Sequence, residues 1–208
     1  MCGIVGYVGA KECTAILVNS LTKLEYRGYD SAGIAVFEGD RIKTVKAKGK
    51  LKDGLIKKLG NEPHFTATAG IGHTRWATHG EPNDVNAHPH MSQSGKFAVV
   101  HNGIIENFIT LKEELQQKGY VFQSETDTEV VAQLLDYYYT GVSAGDSLDA
   151  ITRMMLHVRG SYALAVMFKD YPGEIYVARK DSPMIIGVGK GETFLASDAP
   201  AILKFTRD

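Results

Sequence analysis

Residue 2 is a cysteine, directly behind the initiator, in the run Met1-Cys2-Gly3-Ile4-Val5-Gly6. A methionine followed by so small a residue is normally removed. Removal would leave a thiol and a free α-amine on one residue. A thiol alone is a weak nucleophile at neutral pH, because little of it is thiolate. An α-amine titrates at about pH 8 and can take the thiol proton without a histidine partner. The plainer reading is the start of a buried strand, since Gly3 to Val8 is apolar and free cysteines are often buried.

Further segments carry side chains that could act on the same small molecule. In His73-Thr74-Arg75-Trp76-Ala77-Thr78-His79-Gly80, Arg75 stands where a strand gives way to a long loop. Its planar fork suits a carboxylate; the alternative is a surface arginine paired with an acid. In His101-Asn102-Gly103-Ile104-Ile105-Glu106-Asn107, Asn-Gly signals a hairpin turn, yet the segment soon reads as helix. An asparagine amide beside a backbone N–H makes a pair of oxyanion donors, and losing one such donor costs about 2.7–4 kcal/mol. Glycine there lets the backbone approach a reacting carbonyl. Ser124-Glu125-Thr126-Asp127-Thr128-Glu129 reads as a helix start with Thr126 or Asp127 as cap. A functional Asp127 would instead hold an ammonium group. Glu25-Tyr26-Arg27-Gly28-Tyr29-Asp30-Ser31-Ala32-Gly33 is a tight turn from helix to strand, where Arg27 could brace a nearby terminus. His88-Pro89-His90 and the two cysteines lack metal-site spacing, so no metal is expected and His88 is expected to order its loop.

These residues need a scaffold, and 208 residues that are 44% hydrophobic are enough for one substantial core. The formal charge of −1 carries no basic footprint for nucleic acid or an anionic membrane. No apolar run is long enough to span a bilayer, and the N-terminus lacks a basic segment followed by an apolar one, so no signal peptide is expected. Two cysteines, Cys2 and Cys13, do not suggest a disulfide scaffold; a reducing cytoplasm is the expected compartment. A single domain over residues 1–208 is expected, with no linker or repeat.

Apolar spacing predicts strands over 3–8, 31–37, 41–47, 68–74, 97–101, 161–168, 174–179, 184–188 and 193–196. It predicts helices from Ala15 to Leu24, Leu51 to Leu59, Glu106 to Lys118, Thr128 to Tyr139 and Leu148 to Val158. Arg75 to Ser94 has little periodicity and is read as a binding loop. The strands fall in hairpin-like pairs with helices in blocks, which argues for antiparallel sheets with helical layers. The glycines of Gly187-Val188-Gly189-Lys190-Gly191 lack phosphate-loop spacing and read as a hairpin turn.

Taken together, the Cys2–Gly6 start and the 73–80, 101–107 and 124–129 segments resemble the class II glutamine amidotransferases, N-terminal-nucleophile hydrolases. The string Glu25 to Gly33 narrows the resemblance to the glutaminase domains of the glucosamine-6-phosphate synthase family (isomerising glutamine–fructose-6-phosphate aminotransferases). The resemblance implies an α+β fold, a four-layer αββα sandwich of two antiparallel sheets. It implies hydrolysis of L-glutamine to glutamate and ammonia through a Cys2 thioester, without a cofactor. By the same resemblance Asn102 and Gly103 stabilise the oxyanion, and Arg27 positions the N-terminal segment. Arg75 binds the α-carboxylate and Asp127 the α-ammonium. Trp76, Thr78, His79 and His88 belong to the glutamine site and its loop. The family's sugar-phosphate isomerase half, which takes fructose 6-phosphate and carries most homodimer contacts, is absent from these 208 residues. Two other readings stay open: the glutaminase of another class II amidotransferase such as the purine-pathway enzyme, or an inactive glutamine-binding module if Met1 is retained.

Overall fold

The computed structural model describes residues 2–78 and 80–207; Met1, His79 and Asp208 lie outside them. Among the described residues, strands β1 (Gly3–Val8), β2 (Ser31–Glu38), β3 (Arg41–Lys48), β4 (Ala69–Arg75), β9 (Ile185–Gly189) and β10 (Glu192–Ala196) form one sheet. Its order is β3-β2-β4-β1-β10-β9. Strands β5 (His90–Met91), β6 (Phe97–Ile105), β7 (Gly160–Phe168) and β8 (Tyr176–Lys180) form a second sheet in sequence order. Every pairing of these named strands is antiparallel. Helices α1 (Cys13–Thr22) and α2 (Leu55–Leu59) cover the first sheet; α3 (Phe108–Gln117), α4 (Thr128–Tyr137) and α5 (Ser147–His157) cover the second.

The period-2 alternation of each strand decides what meets what. On β1, Val5 and Tyr7 face α1 while Ile4 faces the other sheet. On β6, Phe97 and Val99 pack under α4, while Ala98 and Val100 meet Ile4 and Ile71 between the sheets. The result is three apolar layers and hence a helix–sheet–sheet–helix stack, the fold class expected from the hairpin-like pairing. Gly39-Asp40 closes β2 onto β3 in register Glu38↔Arg41, with Gly39 at φ +62°. The 187–191 glycine run lies in the β9–β10 hairpin.

Several expectations change. The strand predicted over 97–101 runs on to Ile105, so Asn102-Gly103 is neither a hairpin turn nor a helix approach. Pairing with β7 continues through Asn102↔Ala163 and Gly103↔Tyr162, because Gly103 absorbs the bend at φ +123°. A Cβ there would collide with the Ser161 carbonyl oxygen. The 75–94 segment also contributes a strand, β5, which pairs with β6 at His90↔Val99. Helix α3 starts at Phe108, two residues later than predicted.

Candidate active site

Cys2 stands just before β1, the central strand between β4 and β10. Its sulfur is held by the backbone of Trp76, which follows β4. The Trp76 N–H donates to Cys2 Sγ at 3.3 Å, and Sγ lies 3.6 Å from the Trp76 carbonyl oxygen. Burial pushes the thiol up, against the opposing pull of the Trp76 N–H and the Arg75 charge. A thiol in that condition is protonated at neutral pH and needs a base to become a nucleophile. Cys13, at the start of α1, is fully buried and pushed up to about 12, which makes it inert.

Around Cys2 a small cavity of about 30 Å³ is lined by Arg75, Trp76, Thr78, His88, Gly103 and Asp127, among others. Chain positions more than 100 residues apart thus meet at one point. Arg75 ends β4 and is 4% exposed, so its guanidinium sits inside the protein rather than on the surface. It donates to the loop carbonyls of Gly80 at 3.2 Å and Glu81 at 3.4 Å. Burial pulls its pKa down, opposed by the nearby Cys2, Asp127 and Asp30.

Asp127 occupies the N-cap position of α4 but makes no side-chain cap bond. Its Oδ2 accepts from the Ile105 N–H at 2.8 Å, across on β6. The capping work falls to Thr126, whose Oγ1 accepts from the Glu129 N–H at 3.4 Å. The carboxylate is thereby turned toward the cavity instead of back onto its own helix.

Asn102 is on the inter-sheet face of β6. Its Nδ2 donates to the Cys2 carbonyl oxygen at 3.0 Å. Gly103 follows it at the cavity wall. His88 is buried there with its ring stacked on that of His73 at 4.1 Å. Trp76 is 45% exposed and meets Tyr29 edge-on at 5.6 Å. His79, expected on the same loop, lies outside the described residues. Arg27 does not line the cavity; its guanidinium pairs with Asp198 Oδ2 at 2.6 Å and contacts the Tyr26 hydroxyl. Asp198 follows Ser197, which bonds both the Ile4 N–H and the Ile4 carbonyl oxygen. Arg27 therefore braces the end of the β1–β10 pair, one step removed from Cys2. Among the described residues no group of three or more His, Cys, Asp or Glu is arranged to hold a metal ion.

Periodicity left the Glu25–Gly33 string without a job beyond a turn, and the structure supplies one. Asp30 Oδ2 accepts from the Ala77 N–H at 2.8 Å, and its own N–H donates to the Arg75 carbonyl oxygen. Gly28 packs directly against the Arg75–Trp76 peptide, where a Cβ would stand 2.7 Å from Arg75 C and 2.8 Å from Trp76 N. The obstacle is space alone, since Gly28 has an extended φ of −168°. Gly28→Ala is therefore expected to lower stability by about 1–3 kcal/mol, and to change the iodoacetamide alkylation rate of Cys2 by moving the peptide that holds its sulfur. Urea melts and timed mass spectra check both; wild-type values in both would remove Gly28 from the site's support. At the far end of the loop, Asn86 Nδ2 donates to Glu125 Oε2 at 2.9 Å and to the Glu81 carbonyl oxygen at 3.0 Å. No sequence spacing marks that anchor.

Comparison with known proteins bears on what such a cavity does. A family model described as a glutamine amidotransferase domain matches residues 73–204, a span that holds Arg75, Asn102, Gly103 and Asp127 but not Cys2. Over all 208 residues the chain is 57% identical to a glutamine–fructose-6-phosphate aminotransferase (isomerising) of Caldanaerobacter subterraneus, covering 33% of that protein. It is 55% identical to the same-named protein of Pyrococcus horikoshii, over 100% of this chain and 34% of the relative. The chain thus spans about a third of the length of the curated relatives it matches. Among solved structures it is similar to the glutamine phosphoribosylpyrophosphate amidotransferase of B. subtilis, at TM-score 0.79 and 28% identity, covering 97% of this chain and 43% of that one. A second, the allosteric regulatory enzyme of purine biosynthesis, gives TM-score 0.83 at 29% identity, again covering 97% and 43%.

Proposed function

The chain belongs to the glutamine amidotransferase family, and on that premise we propose that it hydrolyses the side-chain amide of L-glutamine at Cys2, releasing glutamate and ammonia. The observation that carries this reading is the meeting of Cys2, Arg75, Asp127 and Gly103 around one cavity. Glutamine has an anion and a cation at one end and an uncharged amide at the other. A site for it needs one fixed cation, one fixed anion and an acyl-transfer centre, which Arg75, Asp127 and Cys2 supply.

In the proposed cycle Met1 is removed first, so that the Cys2 nitrogen becomes an amine able to take the thiol proton. The thiolate attacks the amide carbon, and the amide oxygen becomes an oxyanion facing Asn102 Nδ2 and the Gly103 backbone. The protonated α-amine returns its proton to the departing nitrogen, the C–N bond breaks, and ammonia leaves. Water then attacks the thioester, giving glutamate and the free thiol. The 30 Å³ cavity has room for a water or two and not for an amino acid. Entry of glutamine therefore requires the Gly80 and Glu81 carbonyls to leave Arg75, with the substrate carboxylate taking their place.

In the whole protein we propose that the ammonia goes to fructose 6-phosphate, giving glucosamine 6-phosphate. Identities of 55–57% to aminotransferases of that name, against 28–29% to the purine-pathway structures, support this acceptor over the purine one.

The test is glutamate release from L-glutamine by the purified chain, with intact mass recorded on the same sample. Release by protein lacking Met1 supports the reading; glutamine binding without release overturns it in favour of a binding module. Asp127→Asn keeps an acceptor for the Ile105 N–H but removes the charge. Losing a charge-assisted contact of about 2–3 kcal/mol should raise KM for glutamine roughly 30–150-fold, with a smaller effect on kcat. An unchanged KM would take the ammonium-binding role from Asp127.

A further inference from the structure

We propose that His73 is a positioning residue for the oxyanion donor: its Nε2–H grips Asn102 by the amide oxygen and so turns the amide nitrogen toward residue 2. The inference rests on the glutamine-hydrolysing reading and assigns a role to a residue on which that reading makes no demand.

His73 lies mid-strand on β4, paired with Ile4 on β1 and Gly33 on β2, and faces the second sheet with Ile71. Its Nε2 sits 3.0 Å from the His101 carbonyl oxygen and 3.0 Å from Asn102 Oδ1. A backbone carbonyl can only accept, so Nε2 carries the proton. One N–H shared by two acceptors then requires an acceptor at the Asn102 position as well, which identifies that atom as Oδ1. Nδ2 is left as the donor on the other side, where it meets the Cys2 carbonyl oxygen at 3.0 Å.

The choice matters because an asparagine amide is nearly symmetric in shape and opposite in polarity at its two ends. Turned over, Asn102 would present lone pairs to a developing oxyanion in place of N–H. The ring is suited to prevent this. It is fully buried, stacked on His88, and its Nδ1 has no partner among the described residues. A second proton would therefore sit on an unpartnered buried atom beside Arg75. The protein holds a neutral, singly protonated imidazole whose one N–H is shared between the His101 carbonyl oxygen and Asn102 Oδ1.

The experiment compares wild type with His73→Leu, His73→Gln, Asn102→Ala and the His73→Leu/Asn102→Ala pair, after a thermal melt of each. His73→Leu should lower kcat for glutamate release about 10–100-fold with KM nearly unchanged, since the lost donor acts on the transition state. His73→Gln, which keeps an N–H, should recover part of that loss. In the Asn102→Ala background His73→Leu should cost nothing further, because there is no amide left to orient. Alkylation of Cys2 by iodoacetamide, which forms no oxyanion, should proceed at the wild-type rate in His73→Leu. Full kcat in folded His73→Leu, or an equal loss with and without Asn102, overturns the proposal. Should His73→Leu fail to melt cooperatively, ¹⁵N NMR of the wild-type ring decides: a neutral Nε2-protonated imidazole supports it, and an Nδ1-protonated one overturns it. Wild-type protein that releases no glutamate would instead sink the functional reading, and the NMR result would still decide the orientation of Asn102.

Discussion

Cys2→Ala is expected to stop glutamate release altogether, a loss of about 10⁵–10⁶-fold if removal of the nucleophile costs what it does in other acyl-transfer enzymes. The change deletes one sulfur at a partly exposed position, whose contacts are with the Trp76 backbone. The fold should therefore survive, and with it the glutamine binding proposed for Arg75 and Asp127. Cys13→Ala is the matched control. Its thiol is buried under α1 and pushed up to about 12, so the rate per folded molecule should not change. Protein that retains Met1 should behave like Cys2→Ala, because its Cys2 nitrogen is an amide and cannot accept the thiol proton. A coupled glutamate assay with intact mass on each sample measures all three. Turnover by Cys2→Ala resolved from background would show that Cys2 is not the nucleophile.

Acid should unfold this protein well above the pH at which carboxylates protonate. His73, His88, His90 and His101 are all buried, and burial pulls each below its ordinary range, His73 to about 3. Arg75 and the neighbouring imidazoles push the same way on His73, His88 and His90. Asp127 opposes on His101, as Lys46 adds to the effect on His90. The sign follows from which state binds protons. Below about pH 6.5 the unfolded chain protonates these four rings and the folded protein does not, so stability falls as pH falls. Each ring contributes about 1.4 kcal/mol per pH unit once its unfolded form is fully protonated. Four together give a slope of up to about 5 kcal/mol per unit while the folded rings stay neutral, against a total stability of about 5–15 kcal/mol for a domain. The loss begins below pH 6.5 and continues until the folded rings themselves titrate.

The depressed carboxylates Asp84, Asp170 and Asp198 act in a lower window: the stability they contribute is lost only as pH falls below about 4. Urea midpoints measured between pH 7 and 5, below the Lys46 titration at about 8 and above the carboxylate window, therefore isolate the histidines. His90→Gln, which keeps a polar partner for Thr126 Oγ1, should reduce the slope by about a quarter. A midpoint that stays flat from pH 7 to 5 would mean that the four rings are not held neutral.

The sequence by itself determined the local grammar of this protein. Alternation marked most strands within a residue or two, and helical spacing marked α4 and α5, because each depends only on neighbours in the chain. It also determined the family, since the Cys2, Arg75, Asn102 and Asp127 segments resemble one known set, in agreement with the match over 73–204. What it could not contain is adjacency. Asn102 reaches Cys2 only because β6 runs on past His101 and its inter-sheet face lies over β1. Asp127 faces the cavity only because Thr126 takes over the cap and Ile105 offers an N–H from another strand. Arg27 finds Asp198 across 171 positions. His73 had no signal beyond its place on a strand face, and its partners come from the opposite sheet. Strand and helix periods are properties of a few consecutive residues. Which faces meet is settled by sheet order and by the packing of one sheet on the other, and only the folded chain carries that information.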